Sequence, residues 1–96
     1  MQRQGRKAEG DLFLVLAKRT ADSVGRIGVT VSSKVGNAVV RNRLKRWVRE
    51  YVRRHRSDVL AGVDLVVLAR GAAGVANHAA VDQDLRTLLA RVREVR

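Results

Sequence analysis

Residues 32–56 of this chain carry apolar side chains at helical spacing and cations at most of the positions between them. The apolar positions recur at steps of three and four residues, which places them along one face of a helix. These positions are Val40, Leu44, Trp47, Val48 and Tyr51. Asn37 precedes the repeat, and its side-chain oxygen is suited to accept a backbone N–H of the first turn. The pattern predicts an amphipathic helix with Asn37 as its N-cap.

The opposite face of this predicted helix is cationic. A rotation of about 100° per residue places five polar side chains opposite Leu44 and Tyr51. They are Asn42, Lys45, Arg46, Arg49 and Arg53. Arg41 and Arg43 fall on the two flanks of this face. Like charges repel at four-residue spacing, as in the series Arg41, Lys45 and Arg49, and a bound polyanion would remove that repulsion.

The charge of the whole chain indicates the same class of partner. It has 20 Lys and Arg against 9 Asp and Glu, a net charge of +11, which favours nucleic acid as the ligand. From charge alone two alternatives stay open: a merely solvated face, and a helix lying on an anionic membrane. Trp47 and Tyr51 fit a packed core better than a membrane surface.

Composition excludes some classes of protein. The chain has no cysteine, so disulfides and cysteine-ligated zinc are impossible. No apolar run has the length of a membrane span, and the N-terminus lacks a signal-peptide core. The expected location is cytoplasmic.

Three further segments are predicted to be strands. Residues 12–17 and 63–69 are apolar runs typical of buried strands, the latter a central strand covered on both faces. Residues 26–32 alternate between apolar and small polar side chains, which leaves room for an extended ligand on the polar face. Residues 18–25 are predicted to be a hairpin loop between antiparallel strands, and residues 1–10 a mobile lead-in to a single domain of residues 1–96.

A last helix is predicted after residue 76, with Asn77 as its cap. Its apolar stripe is Val81, Leu85, Leu88, Leu89 and Val92. The loop before it, residues 70–76, lacks the lysine and the spacing of a phosphate-binding P-loop, so nucleotide binding is rejected there.

Residues 34–46, KVGNAVVRNRLKR, resemble the signature of the bacterial ribonuclease P protein subunit, whose hallmark is the Arg-Asn-Arg run at positions 41–43. The resemblance continues through the strands on either side. It implies a two-layer α/β sandwich with a mainly antiparallel sheet and a left-handed strand–helix–strand crossover around the basic helix. It also implies a short N-terminal helix with aromatic residues, which is expected to be missing here because only residues 5–7 resemble its exit.

The resemblance also implies a function and its residues. The protein subunit assists removal of the 5′ leader of precursor tRNA, a hydrolysis performed by the RNA subunit with Mg²⁺ held through that RNA. The expected partners are therefore the ribonuclease P RNA and precursor tRNA, with neither DNA nor a membrane. The expected RNA contacts are Lys34, Arg41, Asn42, Arg43, Lys45, Arg46, Arg49 and Arg53. A leader cleft between helix and sheet is expected at Phe13, Thr30 and Ser32, although a plain core position is favoured for Phe13, and Leu16 stands where the family often has an aromatic.

No catalytic residue is predicted in the protein itself. His55 and His78 lie in polar settings far apart in the sequence, and Glu50 is interpreted as a salt-bridge partner of the surrounding arginines. Two rival functions are a structural or ribosomal RNA-binding protein and a helix-turn-helix DNA-binding protein. The Arg-Asn-Arg signature opposes the first, and the absence of a neighbouring short helix opposes the second.

Overall fold

The computed structural model describes residues 5–55 and 61–94, which form a four-stranded sheet and two long helices. The strands are β1 (Gly5–Glu9), β2 (Phe13–Val24), β3 (Ile27–Thr30) and β4 (Ala61–Ala69). The helices are α1 (Ala38–Arg54) and α2 (His78–Glu94), and a short 3-10 helix (Gly71–Val75) precedes α2.

The sheet has the strand order β1-β2-β4-β3. The pairs β1–β2 and β2–β4 are antiparallel, and β3 is parallel to β4. The predicted mainly antiparallel α/β architecture is therefore confirmed. The chain passes from β3 through α1 to its parallel neighbour β4, which is the strand–helix–strand crossover that the resemblance implies. Its left hand, the rarer one in such units, stays a prediction.

Both helices pack on one face of the sheet. Val15 of β2 lies opposite Val67 of β4, and both are fully buried in one cluster with Leu44 of α1 and Leu85 of α2. The other sheet face is open: the paired residues Leu16 and Val66 are 38% and 40% exposed. The prediction that residues 63–69 are covered on both faces is therefore wrong. An apolar run does not distinguish a strand that is covered on both faces from one whose second face is exposed.

The predicted hairpin loop at residues 18–25 is also wrong. β2 continues to Val24, and Lys18 and Arg19 pair with Asp64 and Val63 of β4. Polar side chains do not end a strand whose backbone is paired across the sheet. β2 and β3 do not form a hairpin either, because each pairs with a different edge of β4.

The predicted lead-in at residues 1–10 is wrong for residues 5–9, which form β1; residues 1–4 lie outside the described part. β1 is an edge strand paired with β2 from Gly5 opposite Lys18 to Glu9 opposite Leu14. Among its side chains Ala8 joins the core. One small apolar residue gives too weak a period-two signal to predict a strand. Residues 5–9 are a strand because their backbone forms hydrogen bonds with β2.

Both predicted helix caps are confirmed. The Asn37 side chain accepts a hydrogen bond from the Val40 N–H at 3.0 Å, and the Asn77 side chain accepts one from the Ala80 N–H at 2.8 Å. The apolar stripe predicted for the last helix is buried throughout; it consists of Val81, Leu85, Leu88, Leu89 and Val92. Asp84, on the same helix, accepts hydrogen bonds from the backbone N–H groups of Leu12, just before β2, and Phe13, its first residue. These bonds connect α2 to the sheet.

Candidate nucleic-acid interface

The core and the caps hold α1 in a defined place. Leu44, Val48 and Val52 are buried almost completely against the sheet and α2. The 3-10 helix packs against the turn that precedes α1. There Gly74 lies so close to Val35 that a Cβ at position 74 would collide with the Val35 carbonyl oxygen. Only glycine fits this approach. The outward face of α1 is thus presented by a rigid element.

The structure brings the predicted polar face of α1 together as a shallow groove of about 420 Å³, here called the cationic groove. Its lining residues are Asn42, Lys45, Arg46, Arg49, Glu50 and Arg53. Four of the six side chains are cationic and one is acidic. A groove of this composition attracts phosphates and offers arginine forks that bind them bidentately.

The cations of this groove have no close carboxylate partner in the described part of the chain. Among residues 5–55 and 61–94, no carboxylate oxygen lies within 4.0 Å of a charged nitrogen of Lys45, Arg46, Arg49 or Arg53. The interpretation of Glu50 as a salt-bridge partner is wrong for the same part of the chain. The ion pairs that do form involve other cations, such as Arg54 with Asp82 at 3.8 Å. The positive charge of the groove is therefore available to a ligand.

Arg41 and Arg43 lie on the flanks of α1, as their helical positions predict, and do not line the groove. Both side chains are half-buried, and the Nε atom of each is buried without a hydrogen-bond partner in the described structure. The Arg43 Cζ atom lies 5.1 Å from the centre of the Trp47 ring, a cation–π contact. Lys34 is exposed in the turn before α1 and also lies outside the groove.

In residues 5–55 and 61–94 an apolar core fills the space between α1 and the sheet, which leaves no room there for the leader cleft predicted between helix and sheet. Phe13 is fully buried, so its assignment as a ligand contact is wrong and its core interpretation is confirmed. Thr30 is exposed on the open face of the sheet, opposite Leu68 of β4, and Ser32 is exposed just after β3.

A second groove, of about 570 Å³, lies over the open face of the sheet and is here called the sheet groove. It is lined by Arg6, Lys7, Leu16, Ala17, Lys18, Asp64 and Val66. Its apolar floor, Leu16 and Val66, has Lys7 and Lys18 beside it on β1 and β2. The sequence does not predict the part of this groove on β1, because residues 5–9 fall within the predicted lead-in. Two signals point to the open face of the sheet: Leu16, and the small polar side chains predicted to leave room for an extended ligand on residues 26–32.

Both histidines lie against aromatic rings of α1. His55 stacks on Tyr51 and His78 on Trp47, each with its ring exposed at the surface. Within residues 5–55 and 61–94 there is no group of three or more His, Asp or Glu side chains that could hold a metal ion, and no helix there is long and apolar enough to cross a membrane. The helix-turn-helix alternative is wrong, since α1 lies between β3 and β4 in the chain.

Comparison with known proteins gives consistent matches. Residues 1–93 match the family model described as ribonuclease P. The ribonuclease P protein component of Brevibacillus brevis is 39% identical over 95 residues, which cover 99% of this chain and 75% of that protein. The component from Thermotoga maritima is 38% identical over 68 residues, which cover 71% of this chain and 58% of that protein.

Solved structures agree with this match. A structure of the RNase P protein from Thermotoga maritima superposes with a TM-score of 0.85 at 34% identity, covering 92% of this chain and 86% of that chain. The RNase P protein from Staphylococcus aureus gives a TM-score of 0.81 at 33% identity, covering 92% and 83%.

Proposed function

This chain belongs to the ribonuclease P protein family, and from that membership we propose that it binds the catalytic RNA through α1 and the 5′ leader of precursor tRNA through the open face of the sheet. As a protein component of ribonuclease P it acts in tRNA processing, within an endoribonuclease complex that includes an RNA subunit. The observation that carries the proposal is the cationic groove on a rigid helix, whose four cations form no ion pair with another described residue.

Contact with the catalytic RNA is proposed for the cationic groove and the residues around it. The groove supplies Asn42, Lys45, Arg46, Arg49 and Arg53, while Lys34, Arg41 and Arg43 extend this surface at the N-terminal end and the flanks of α1. Folding an RNA brings phosphates close together, and a cationic surface lowers their mutual repulsion. Phosphate contacts fix position without reading sequence, which suits a subunit that stabilises an RNA fold.

The sheet groove is proposed as the leader site in place of the cleft at Phe13. Leu16 and Val66 give an apolar floor for unstacked bases, and Lys7 and Lys18 beside it can neutralise backbone phosphates. Thr30 and Ser32 continue the exposed surface along β3. The floor lacks aromatic rings, so contact with bases is weaker here than stacking on an aromatic would be. Apolar contact does not read the hydrogen-bonding edges of the bases, so different leader sequences should be tolerated.

Hydrolysis is proposed to take place on the RNA subunit, in the cytoplasm, with Mg²⁺ bound by RNA. The donor set of the protein does not fit a metal site in the described residues. The protein therefore contributes binding and orientation to the reaction, and its cations reduce the concentration of Mg²⁺ that the RNA needs for folding.

The test is reconstitution of the full chain with a bacterial ribonuclease P RNA and a precursor tRNA at low Mg²⁺. We expect the protein to increase 5′ cleavage and to bind the precursor more tightly than the mature tRNA. A folded protein, verified by circular dichroism, that gives no gain in cleavage at any Mg²⁺ concentration would contradict the proposal. Arg86→Ala, an equal loss of charge on the exposed side of α2, is the matched control for changes in the groove.

A further inference from the structure

The single tryptophan of the protein lies where α1 meets α2. The Trp47 ring is half-buried and stacks on the His78 imidazole, with ring centres 4.6 Å apart and planes inclined by 4°. The Arg43 guanidinium lies against the same indole, its Cζ atom 5.1 Å from the ring centre. One ring thus contacts the first residue of α2 and an arginine of the Arg-Asn-Arg run.

His78 also lies near a carboxylate of α2. Its Nε2 atom lies 3.7 Å from Oδ1 of Asp82, one helical turn further on, and Oδ2 of the same carboxylate lies 3.8 Å from Nη2 of Arg54 on α1. The first two turns of α2 are therefore connected to α1 at two points, through the Trp47–His78 stack and through Asp82. These contacts restrict rotation of the imidazole, and the imidazole restricts the indole.

The indole is what orients Arg43. This side chain forms no ion pair and no hydrogen bond with another described residue, and its Nε atom is buried without a partner. A long cationic side chain without polar partners normally samples many rotamers, and ordering it on binding weakens the complex. Contact with an aromatic face limits that freedom before the ligand arrives. The terminal nitrogens of the guanidinium then remain free to donate to phosphate.

We propose that His78 is a positioning residue for RNA binding: it fixes the Trp47 ring, and the ring holds the Arg43 guanidinium ready for a phosphate. The inference rests on the proposed function, since it requires Arg43 to contact RNA. It assigns a role to the start of α2, an element that otherwise serves as scaffold. A structural role alone would make the effect of His78 on binding independent of Arg43, whereas positioning makes the two effects interdependent.

A double-mutant cycle tests this interdependence. RNA affinity is measured for the full chain and for His78→Ala, Arg43→Ala and the double variant, with a ribonuclease P RNA as the probe. We expect His78→Ala to weaken binding about two- to fivefold, the factor that matches an exposed cation–π contact. The same substitution should have no further effect in the Arg43→Ala background. Arg46 lines the cationic groove and takes no part in the proposed contact with Trp47. The losses of binding free energy from His78→Ala and Arg46→Ala should therefore add in the double variant.

A second variant and a second readout separate positioning from loss of fold. His78→Phe keeps an aromatic ring on Trp47 and should bind RNA as the unchanged protein does, while Trp47 fluorescence should change in His78→Ala and not in Arg46→Ala. An equal loss from His78→Ala with and without Arg43, or failure of phenylalanine to restore binding, would overturn the positioning role. If Arg43→Ala alone binds normally, the proposed RNA contact of Arg43 fails, and the inference fails with it. If Arg46→Ala also binds normally, the proposed function of the groove fails as well.

Discussion

Replacement of Arg49 by alanine should stabilise the free protein and weaken its complex with RNA. Arg49 is exposed in the middle of a series of cations at four-residue spacing, with Lys45 one turn before it and Arg53 one turn after it. No carboxylate oxygen in the described part of the chain lies within 4.0 Å of its guanidinium. The substitution therefore removes the repulsion between Arg49 and its two cationic neighbours at four-residue spacing, and it removes no ion pair with a described residue.

The size of the stabilisation follows from those two pairs. Like charges one turn apart destabilise a helix by about 0.2–0.5 kcal/mol per pair, so their removal should raise the free energy of unfolding by about 0.4–1 kcal/mol at low salt. For a chain of this length that corresponds to an increase in Tm of about 2–8 °C. The gain should fade as salt is added, because the Debye length falls from about 10 Å at 0.1 M to about 3 Å at 1 M.

The same substitution should have the opposite effect on RNA binding. Loss of one phosphate contact lowers the slope of log affinity against log salt concentration by about 0.7–0.9. The assays are thermal unfolding and RNA binding, each across a salt series. Arg86→Ala removes the same charge from α2, where Asp82 lies one turn before it, and should neither stabilise the protein nor change the slope. An Arg49→Ala variant that is less stable at low salt, or that keeps the full slope, would refute the reasoning.

Two other substitutions test the scaffold and the sheet groove. Asp84→Ala leaves two part-buried backbone N–H groups at the start of β2 without their acceptor. It should lower the free energy of unfolding, measured by urea denaturation, by about 1–3 kcal/mol. Asp84→Asn keeps one oxygen as acceptor and should lower the free energy of unfolding by less. Val66→Glu places a negative charge in the floor of the sheet groove, and should weaken binding of precursor tRNA while leaving mature tRNA unaffected; equal losses for both RNAs would place the leader elsewhere.

Local patterns in the sequence sufficed for both helices and for the cationic face. Asn37 and Asn77 cap the helices as predicted, since a cap involves atoms only three residues apart. The side chains opposite Leu44 and Tyr51 gather in one groove as predicted, since helical rotation alone determines which residues share a face. The family signature lies in the same segment, so the strongest functional inference also depended on local information.

The sheet depended on partners far away in the sequence. β1 exists because its backbone pairs with β2, and β2 extends past Lys18 because β4 pairs with it from the other side. Side-chain polarity does not report those backbone hydrogen bonds, so the sequence predicts a lead-in at residues 1–10 and a loop at residues 18–25 where β1 and the end of β2 lie.

The two helices, their caps and the charged surface therefore follow from local sequence, because helical periodicity and capping act within a few residues. Which sheet face stays open depends on tertiary packing, which places Phe13 in the core and Leu16 and Val66 on a surface that a ligand can reach. Tertiary packing also brings His78 onto Trp47 beside Arg43. Burial and stacking depend on how helices and strands pack, and packing brings together residues that lie far apart in the sequence.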